Sequence, residues 1–259
     1  MKFVDAHLHL SDEEYSQCTD EIIADARKAS VIALVSGSMD LKTSKESLRL
    51  AEQNPRLVYA ALGVHPWAVQ TVTEDEVQET IKFISQVRQN KAVVAIGEIG
   101  LDDKYKEIWD KQLKVFGKML QLAERTDLPI IVHSRGTTPQ IMEILPSYKL
   151  CKVLLHWFSY PIAALPKIIE NGYYVSEGPT VIYSRGIRDI VRKTPLASLL
   201  TETDGPVHYY KPPFDGKMTM PAFIPIVAQA FAEIKETPIE DVAEQVTRNF
   251  EDFFGVKLN

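Results

Sequence analysis

Lys2-Phe3-Val4-Asp5-Ala6-His7-Leu8-His9 opens on a short apolar run and closes on two histidines one residue apart. Read as a strand over Lys2–His7, the segment sends alternate side chains to opposite faces, so His7 and His9 project together from its C-terminal end. Two imidazoles so placed can hold one divalent ion at metal–nitrogen distances of roughly 2.0–2.1 Å. Taken alone, the pair reads equally well as two ordinary surface or hydrogen-bonded histidines. The choice depends on whether the rest of the chain repeats the pattern of strand followed by ligand.

It does. Further apolar runs at Val31–Val35, Leu57–Leu62, Ala92–Ile96, Pro129–Val132, Val153–Leu155, Tyr173–Val175 and Ala197–Leu200 alternate with amphipathic segments. Helices are predicted over Asp20–Ser30, Leu41–Asn54, Thr73–Asn90, Lys106–Arg125, Thr138–Leu145, Pro161–Asn171 and Ile187–Lys193, with two more closing the chain. Thr73 and Glu76 read as a capping box, and so do Thr237 and Glu240 around Pro238. Gly172 suits a helix C-terminus. Strand–helix alternation calls for a parallel sheet with right-handed crossovers. Eight such units in 259 residues favour a closed (β/α)8 TIM barrel, α/β in class, over an open doubly wound sheet. No Gly-x-Gly-x-x-Gly or phosphate-cradling Lys-Ser/Thr loop follows the first strand, which argues against a nucleotide-binding open sheet. One domain over residues 1–259 is expected.

Composition narrows the class. The chain is 45% hydrophobic and 25% charged, ordinary globular values. No apolar run approaches the ~20 residues of a membrane span, and the start lacks the form of a signal peptide, so a cytoplasmic protein with no membrane partner is expected. Cys18 and Cys151 lack Cys-x-x-Cys spacing and read as plain thiols. A net charge of −6 argues against a broad basic face that coats long nucleic acid. It is compatible with an enzyme that takes one nucleic-acid end into a small pocket where metal ions supply the positive charge.

The metal-capable residues fall in register with the strands. His7 and His9 end the first, His65 follows the third, Glu98 lies just past the fourth, His133 ends the fifth, His156 the sixth and Asp204 the eighth. Five of the 6 histidines thus occupy C-terminal strand ends, which in a barrel converge on the face that carries the active site. His7, His9, Glu98, His133, His156 and Asp204 are too many ligands for one catalytic ion with an open position. They suit two ions bridged by a carboxylate, with Glu98 central in barrel order. This mixture of imidazole and carboxylate suits zinc or manganese better than an all-oxygen magnesium site.

Six motifs carry a family resemblance: Asp5-Ala6-His7-Leu8-His9, Gly63-Val64-His65-Pro66, Gly97-Glu98-Ile99-Gly100-Leu101-Asp102, His133-Ser134-Arg135, His156-Trp157-Phe158-Ser159 and Thr203-Asp204-Gly205-Pro206. In this order, nearly end to end, they make the chain resemble the TatD family of metal-dependent deoxyribonucleases, within the amidohydrolase-type barrels. The resemblance implies two divalent ions (Zn, Mn or Mg), the first held by His7, His9, Glu98 and Asp204, the second by Glu98, His133 and His156. It also implies that His65 and Arg135 bind the substrate, near its phosphate. The implied activity is hydrolysis of DNA phosphodiester bonds, on DNA ends or short oligonucleotides. The chain departs from the family pattern at Asp103, where an aromatic is common, at Trp157 and Tyr160, and at Glu177, where small or apolar residues are usual. These departures bear on the shape and charge of the substrate pocket.

From the residues themselves, the expected chemistry is hydrolysis by a metal-activated water, with Asp204 and Glu98 catalytic and Asp204 orienting and deprotonating that water. Arg135 can grip a phosphate bidentately or serve a structural salt bridge. His65 can donate to a phosphate or be structural. Asp5 can support a ligand histidine or cap its strand. Trp67, Trp157 and Tyr160 can stack on a base or simply pack. Two other readings compete: a metal-dependent ester or amide hydrolase, such as a D-aminoacyl-tRNA deacylase, and a non-catalytic metal-binding scaffold. A monomer is favoured.

Overall fold

The apolar runs pair into one sheet. In the computed structural model, which describes residues 1–159 and 161–258, the strands are β1 (Phe3–Leu8), β2 (Val31–Gly37), β3 (Val58–Leu62), β4 (Val93–Gly100), β5 (Ile130–His133), β6 (Val153–Leu155), β7 (Tyr174–Glu177) and β8 (Leu199–Thr201). They form an 8-stranded sheet in sequential order, and every neighbouring pair is parallel. Helices α1 (Thr19–Lys28), α2 (Leu41–Gln53), α3 (Glu74–Val87), α4 (Trp109–Thr126), α5 (Thr138–Ile144), α6 (Leu165–Glu170), α7 (Arg185–Lys193), α8 (Ile224–Lys235) and α9 (Ile239–Phe254) make the crossovers and the closing pair. This is the expected TIM barrel. Among the described residues, no helix is long and apolar enough to cross a membrane.

Side-chain bonds and a backbone bond beyond the strand ends close what the ladder leaves open between β8 and β1. Thr201 Oγ1 donates to the Val4 carbonyl at 2.6 Å, and Asp204 N–H to the His7 carbonyl at 2.9 Å. Buried Asp5 accepts from Thr203 N–H at 3.0 Å and from its hydroxyl at 2.5 Å. Asp5 therefore clamps the seam, and its only bond toward His7 is from the backbone N–H at 3.3 Å. Burial pushes its carboxyl up to about 8, against the Thr203 hydrogen bonds.

The strands are buried on both faces, the pattern of a parallel sheet covered by helices. Outside it, α9 seats Val242, Val246, Phe250 and Phe253 in the core, with Phe250 packed against Tyr59 of β3. Burying each such side chain contributes about 1.5–3 kcal/mol.

Local signals held in most places. Thr73 and Glu76 form the predicted capping box of α3, and Gly172 follows α6 at φ 70°. The second predicted box does not form. Pro238 precedes α9 without a side-chain cap, because Thr237 is tied into the end of α8, N–H to Ala232 at 3.1 Å and hydroxyl to Lys235 at 3.0 Å. The helix expected from Lys106 begins at Trp109, after a tight 3-10 segment over Asp103–Ile108. Buried Gln112 enforces that turn, bonding both backbone groups of Asp102 and the carbonyl of Tyr105. The helix expected over Pro161–Asn171 is shorter, with a 3-10 turn at Ile162–Ala164 leading into α6. A 3-10 turn at Leu196–Ser198 likewise takes the start of the run expected as the eighth strand.

One difference matters for the site. Glu98 was expected past the fourth strand; it lies inside β4, which runs on to Gly100. The register against β5 slips between Ile96 and Ile99, an irregularity of the kind that re-aims a side chain. Gly100 at φ 150° permits the continuation, since a Cβ there would lie 2.0 Å from the His133 carbonyl oxygen.

Candidate metal centre

Glu98, 1% exposed, is the hub. Its Oε2 faces His7 Nε2 at 3.0 Å and His9 Nε2 at 3.2 Å. Its Oε1 faces His65 Nε2 at 3.0 Å, His133 Nδ1 at 2.7 Å and His156 Nε2 at 2.7 Å. Asp204 closes the first side, with Oδ1 3.5 Å from His7 Nε2 and 3.7 Å from His9 Nε2. The two oxygens of one carboxylate thus serve two separate groups of imidazoles. β1, β3, β4, β5, β6 and β8 all deliver a side chain to this point, as the strand-end register predicted.

Three sets have ligand atoms within 4.8 Å of one another: His7–His9–Asp204, His7–Glu98–His156 and His65–Glu98–His133. A carboxylate has about four lone-pair sites, so it cannot satisfy five rings as a simple acceptor. Neutral imidazole lone pairs aimed at one another and at carboxylates repel unless a cation stands among them. The donor set therefore fits divalent ions, with imidazole nitrogens and carboxylate oxygens of the kind zinc and its neighbours take.

The far side fixes the tautomer of His9, His133 and His65, whereas Nδ1 of His7 and of His156 is buried with no hydrogen-bond partner among the described residues. His9 Nδ1 lies 3.2 Å from the Gly37 carbonyl, which can only accept; Nδ1 then carries the proton and Nε2 is free as a ligand. His133 Nε2 lies 2.8 Å from Asp102 Oδ2, leaving Nδ1 free. His156 Nδ1 faces Glu202 Oε1 at 3.6 Å, in charge-pairing range though too long for a hydrogen bond, which leaves Nε2 toward Glu98. His65 is the reverse case. Its Nδ1 accepts from Trp67 N–H at 3.0 Å, so neutral His65 carries its proton on Nε2 and points a donor at the centre. Hydrogen-bond direction thus separates His65 from His9 and His133, although distance does not.

Electrostatics follow burial and neighbours. Burial alone would raise Glu98, but His156, His65 and His7 hold it well below the usual carboxylate range. Burial lowers His7 to about 4, helped by His156. Burial likewise takes His65 to about 4, against the attraction of Glu98. It opposes charge on His156 too, yet Glu98 and Glu202 raise that ring well above its ordinary value. Burial pushes Asp204 up to about 7, opposed by His156 and His9.

Two supporting residues were given no role from sequence. Asp102 Oδ2 takes both His133 Nε2 and the Trp67 indole N–H, the latter at 2.6 Å, while Oδ1 accepts from Lys104 N–H. Glu202 accepts from Trp157 N–H at 2.8 Å and from Ser176 Oγ at 2.6 Å, and so presents a fixed carboxylate to His156. Glu202 sits two residues before Asp204 near a strand end, and that spacing was the available signal. Arg135 lies on the loop after β5, exposed and outside the ring of ligands, with no ion pair among the described residues. Trp157 is half-buried against Tyr209, whereas Trp67 is exposed. Tyr160 lies outside the described residues. Glu177, at the end of β7, is fully buried and neither of its oxygens has a hydrogen-bond partner among the described residues.

The model of the family described as TatD-related DNase matches residues 4–255. An uncharacterized metal-dependent hydrolase of Methanocaldococcus jannaschii is 32% identical over 259 residues, covering 100% of this chain and 99% of the relative. The Homo sapiens protein named deoxyribonuclease TATDN3 is 32% identical over 257 residues, covering 95% of this chain and 92% of that protein. Among solved structures, the TatD homolog YjjV of Escherichia coli K12 superposes with a TM-score of 0.91 at 30% identity, covering 98% of each chain. Barrel, ligand circle and full-length similarity lead to one assignment: the chain belongs to the TatD-related DNase family and is a metal-dependent hydrolase of the amidohydrolase superfamily.

Proposed function

We propose that this hydrolase is a deoxyribonuclease that cleaves phosphodiester bonds at DNA ends or in short oligonucleotides, using two divalent ions. The observation that carries the reading is the division of Glu98: Oε2 toward His7 and His9, Oε1 toward His133 and His156. That is the arrangement a bridging carboxylate needs. His7, His9, Glu98 and Asp204 would hold one ion, and Glu98, His133 and His156 the other. Such a pair, when bound, supplies positive charge against the phosphate and an acidified water.

The remaining steps belong to side chains. Asp204 orients the attacking water and takes its proton. His65, with its proton on Nε2, donates to a phosphate oxygen. Arg135, exposed on the loop after β5, reaches substrate beyond the ligand circle and pairs with an outer phosphate. The human relative's name supports DNA as substrate.

Purified protein should carry, or be activated by, divalent metal, and cleave single-stranded oligonucleotides. Glu98→Ala and Asp204→Ala should each abolish cleavage while circular dichroism stays native. Full activity in excess chelator, or wild-type rates in both variants, would overturn the reading. Assaying the same metal-loaded protein on phosphodiester, ester and amide substrates, D-aminoacyl-tRNA among them, separates it from a deacylase or a binding scaffold.

A further inference from the structure

We propose that Trp67, with Tyr105 and Lys104, forms a subsite that stacks the base of the nucleotide adjoining the scissile phosphate. The proposal rests on the phosphodiesterase reading for the identity of its ligand.

Trp67 is a large apolar side chain left 38% exposed at the mouth of the barrel. It is not loose there. Its indole N–H donates at 2.6 Å to Asp102 Oδ2, a buried oxygen that also holds His133 at 2.8 Å. One carboxylate thereby locks the indole to a ring of the metal centre. The indole stands edge-to-face against His65 at 5.2 Å and against His133 at 6.1 Å between centroids. It is therefore one ring's width from the groups that would meet the phosphate.

Beside it, Tyr105 lies 6.2 Å away at an interplanar angle of 66°, forming a second wall. The Lys104 ammonium sits 5.7 Å from the Trp67 centroid and 5.2 Å from that of Tyr105. A cation seated on both rings shows that their π-faces are reachable from solvent and attract positive charge. A nucleotide offers a planar base for the indole and a phosphate for the ammonium, which exchanges a weak π contact for a charge-assisted hydrogen bond. An aliphatic or purely anionic ligand would use only half of the subsite. A pre-set indole also loses little side-chain freedom on binding.

The test uses metal-loaded protein containing 5-fluorotryptophan. Its three tryptophans give three fluorine resonances, assigned with Trp67→Phe, Trp109→Phe and Trp157→Phe. It is titrated with a phosphorothioate thymidine oligonucleotide and with a matched strand lacking the terminal base. The Trp67 resonance should shift with the first strand and not the second, and the base-bearing strand should bind about 5- to 100-fold more tightly. Trp67→Ala should erase that preference, and Trp67→Phe, which keeps a ring without the Asp102 bond, should retain most of it. An unmoved Trp67 resonance at saturating oligonucleotide, a preference that survives in Trp67→Ala, or equal loss in both variants would overturn the subsite. Cleavage of the unmodified strand is scored separately. A shifted Trp67 resonance without cleavage refutes the phosphodiesterase reading alone, and cleavage without a shift refutes the subsite alone.

Discussion

Asp102 and His133 meet through a hydrogen bond of 2.8 Å on the side of the imidazole opposite Glu98. The carboxylate cannot donate to the ring while ionised, so Nε2 carries the proton and Nδ1 keeps its lone pair for the centre. Burial alone would raise Asp102, but bonds from His133, Trp67 and Lys104 lower it to about 2, so it stays ionised across the working pH range. Asp102→Ala should weaken metal binding about 10- to 100-fold, with Asp102→Asn intermediate. Chelator competition measures this, with thermal melting as the control for lost stability. Unchanged affinity in the alanine variant would remove Asp102 from the site's support.

The opposite direction at His65 gives a sharper contrast. With Nδ1 already accepting from Trp67 N–H, His65 offers a proton to the centre and no ligand lone pair. His65→Ala should retain both metal equivalents by elemental analysis and lose about 10²- to 10³-fold in rate, the cost of one donor to a developing oxyanion. His133→Ala should lose metal as well as rate. Loss of an equivalent in His65→Ala would instead make His65 a ligand.

Gly37 tests how tightly His7 is placed. A Cβ on Gly37 would lie 2.6 Å from Cε1 of the fully buried His7 ring. Gly37 keeps an ordinary negative-φ strand conformation, so the strain falls on the imidazole. Gly37→Ala should cost about 1–3 kcal/mol in stability from overpacking. It should also lower metal affinity roughly tenfold or more while the circular dichroism spectrum remains native. Wild-type affinity would mean that the His7 ring has slack the packing does not suggest.

What the sequence made legible was whatever depends on local pattern. Short apolar runs ending in His7, His65, His133, His156 and Asp204 are strand ends whichever neighbours they pair with, and a barrel gathers such ends on one face. Glu98 was placed one step wrong because the slip between Ile96 and Ile99 belongs to pairing with β5 and not to the residues of β4. The roles of Asp102 and Glu202 were hidden for a related reason: each acts on a histidine from another strand, 31 residues away in sequence for Asp102 and His133. The proton on His65 depends on one backbone N–H two residues on. The cap expected at Thr237 failed because two helix ends compete for one threonine.

Glu177 gives the last prediction, and its sign can be worked out in full. The side chain is wholly buried at the end of β7 with neither oxygen hydrogen-bonded among the described residues. Burial raises it well above its ordinary 4.5; the negative charge of Glu202 adds to the shift and His156 opposes it. The native state therefore holds this proton over a range where the unfolded chain has released it. Stability contributed by the protonated form is complete below the unfolded value and declines as pH rises toward the native one, by up to about 1.4 kcal/mol per pH unit. Glu177→Gln keeps the shape and removes the titration. Urea unfolding should find the variant and wild type close at pH 5, with the variant gaining steadily on wild type toward pH 8. A difference that stays flat over that range would mean that Glu177 is ionised in the native protein and has a charged or donating partner.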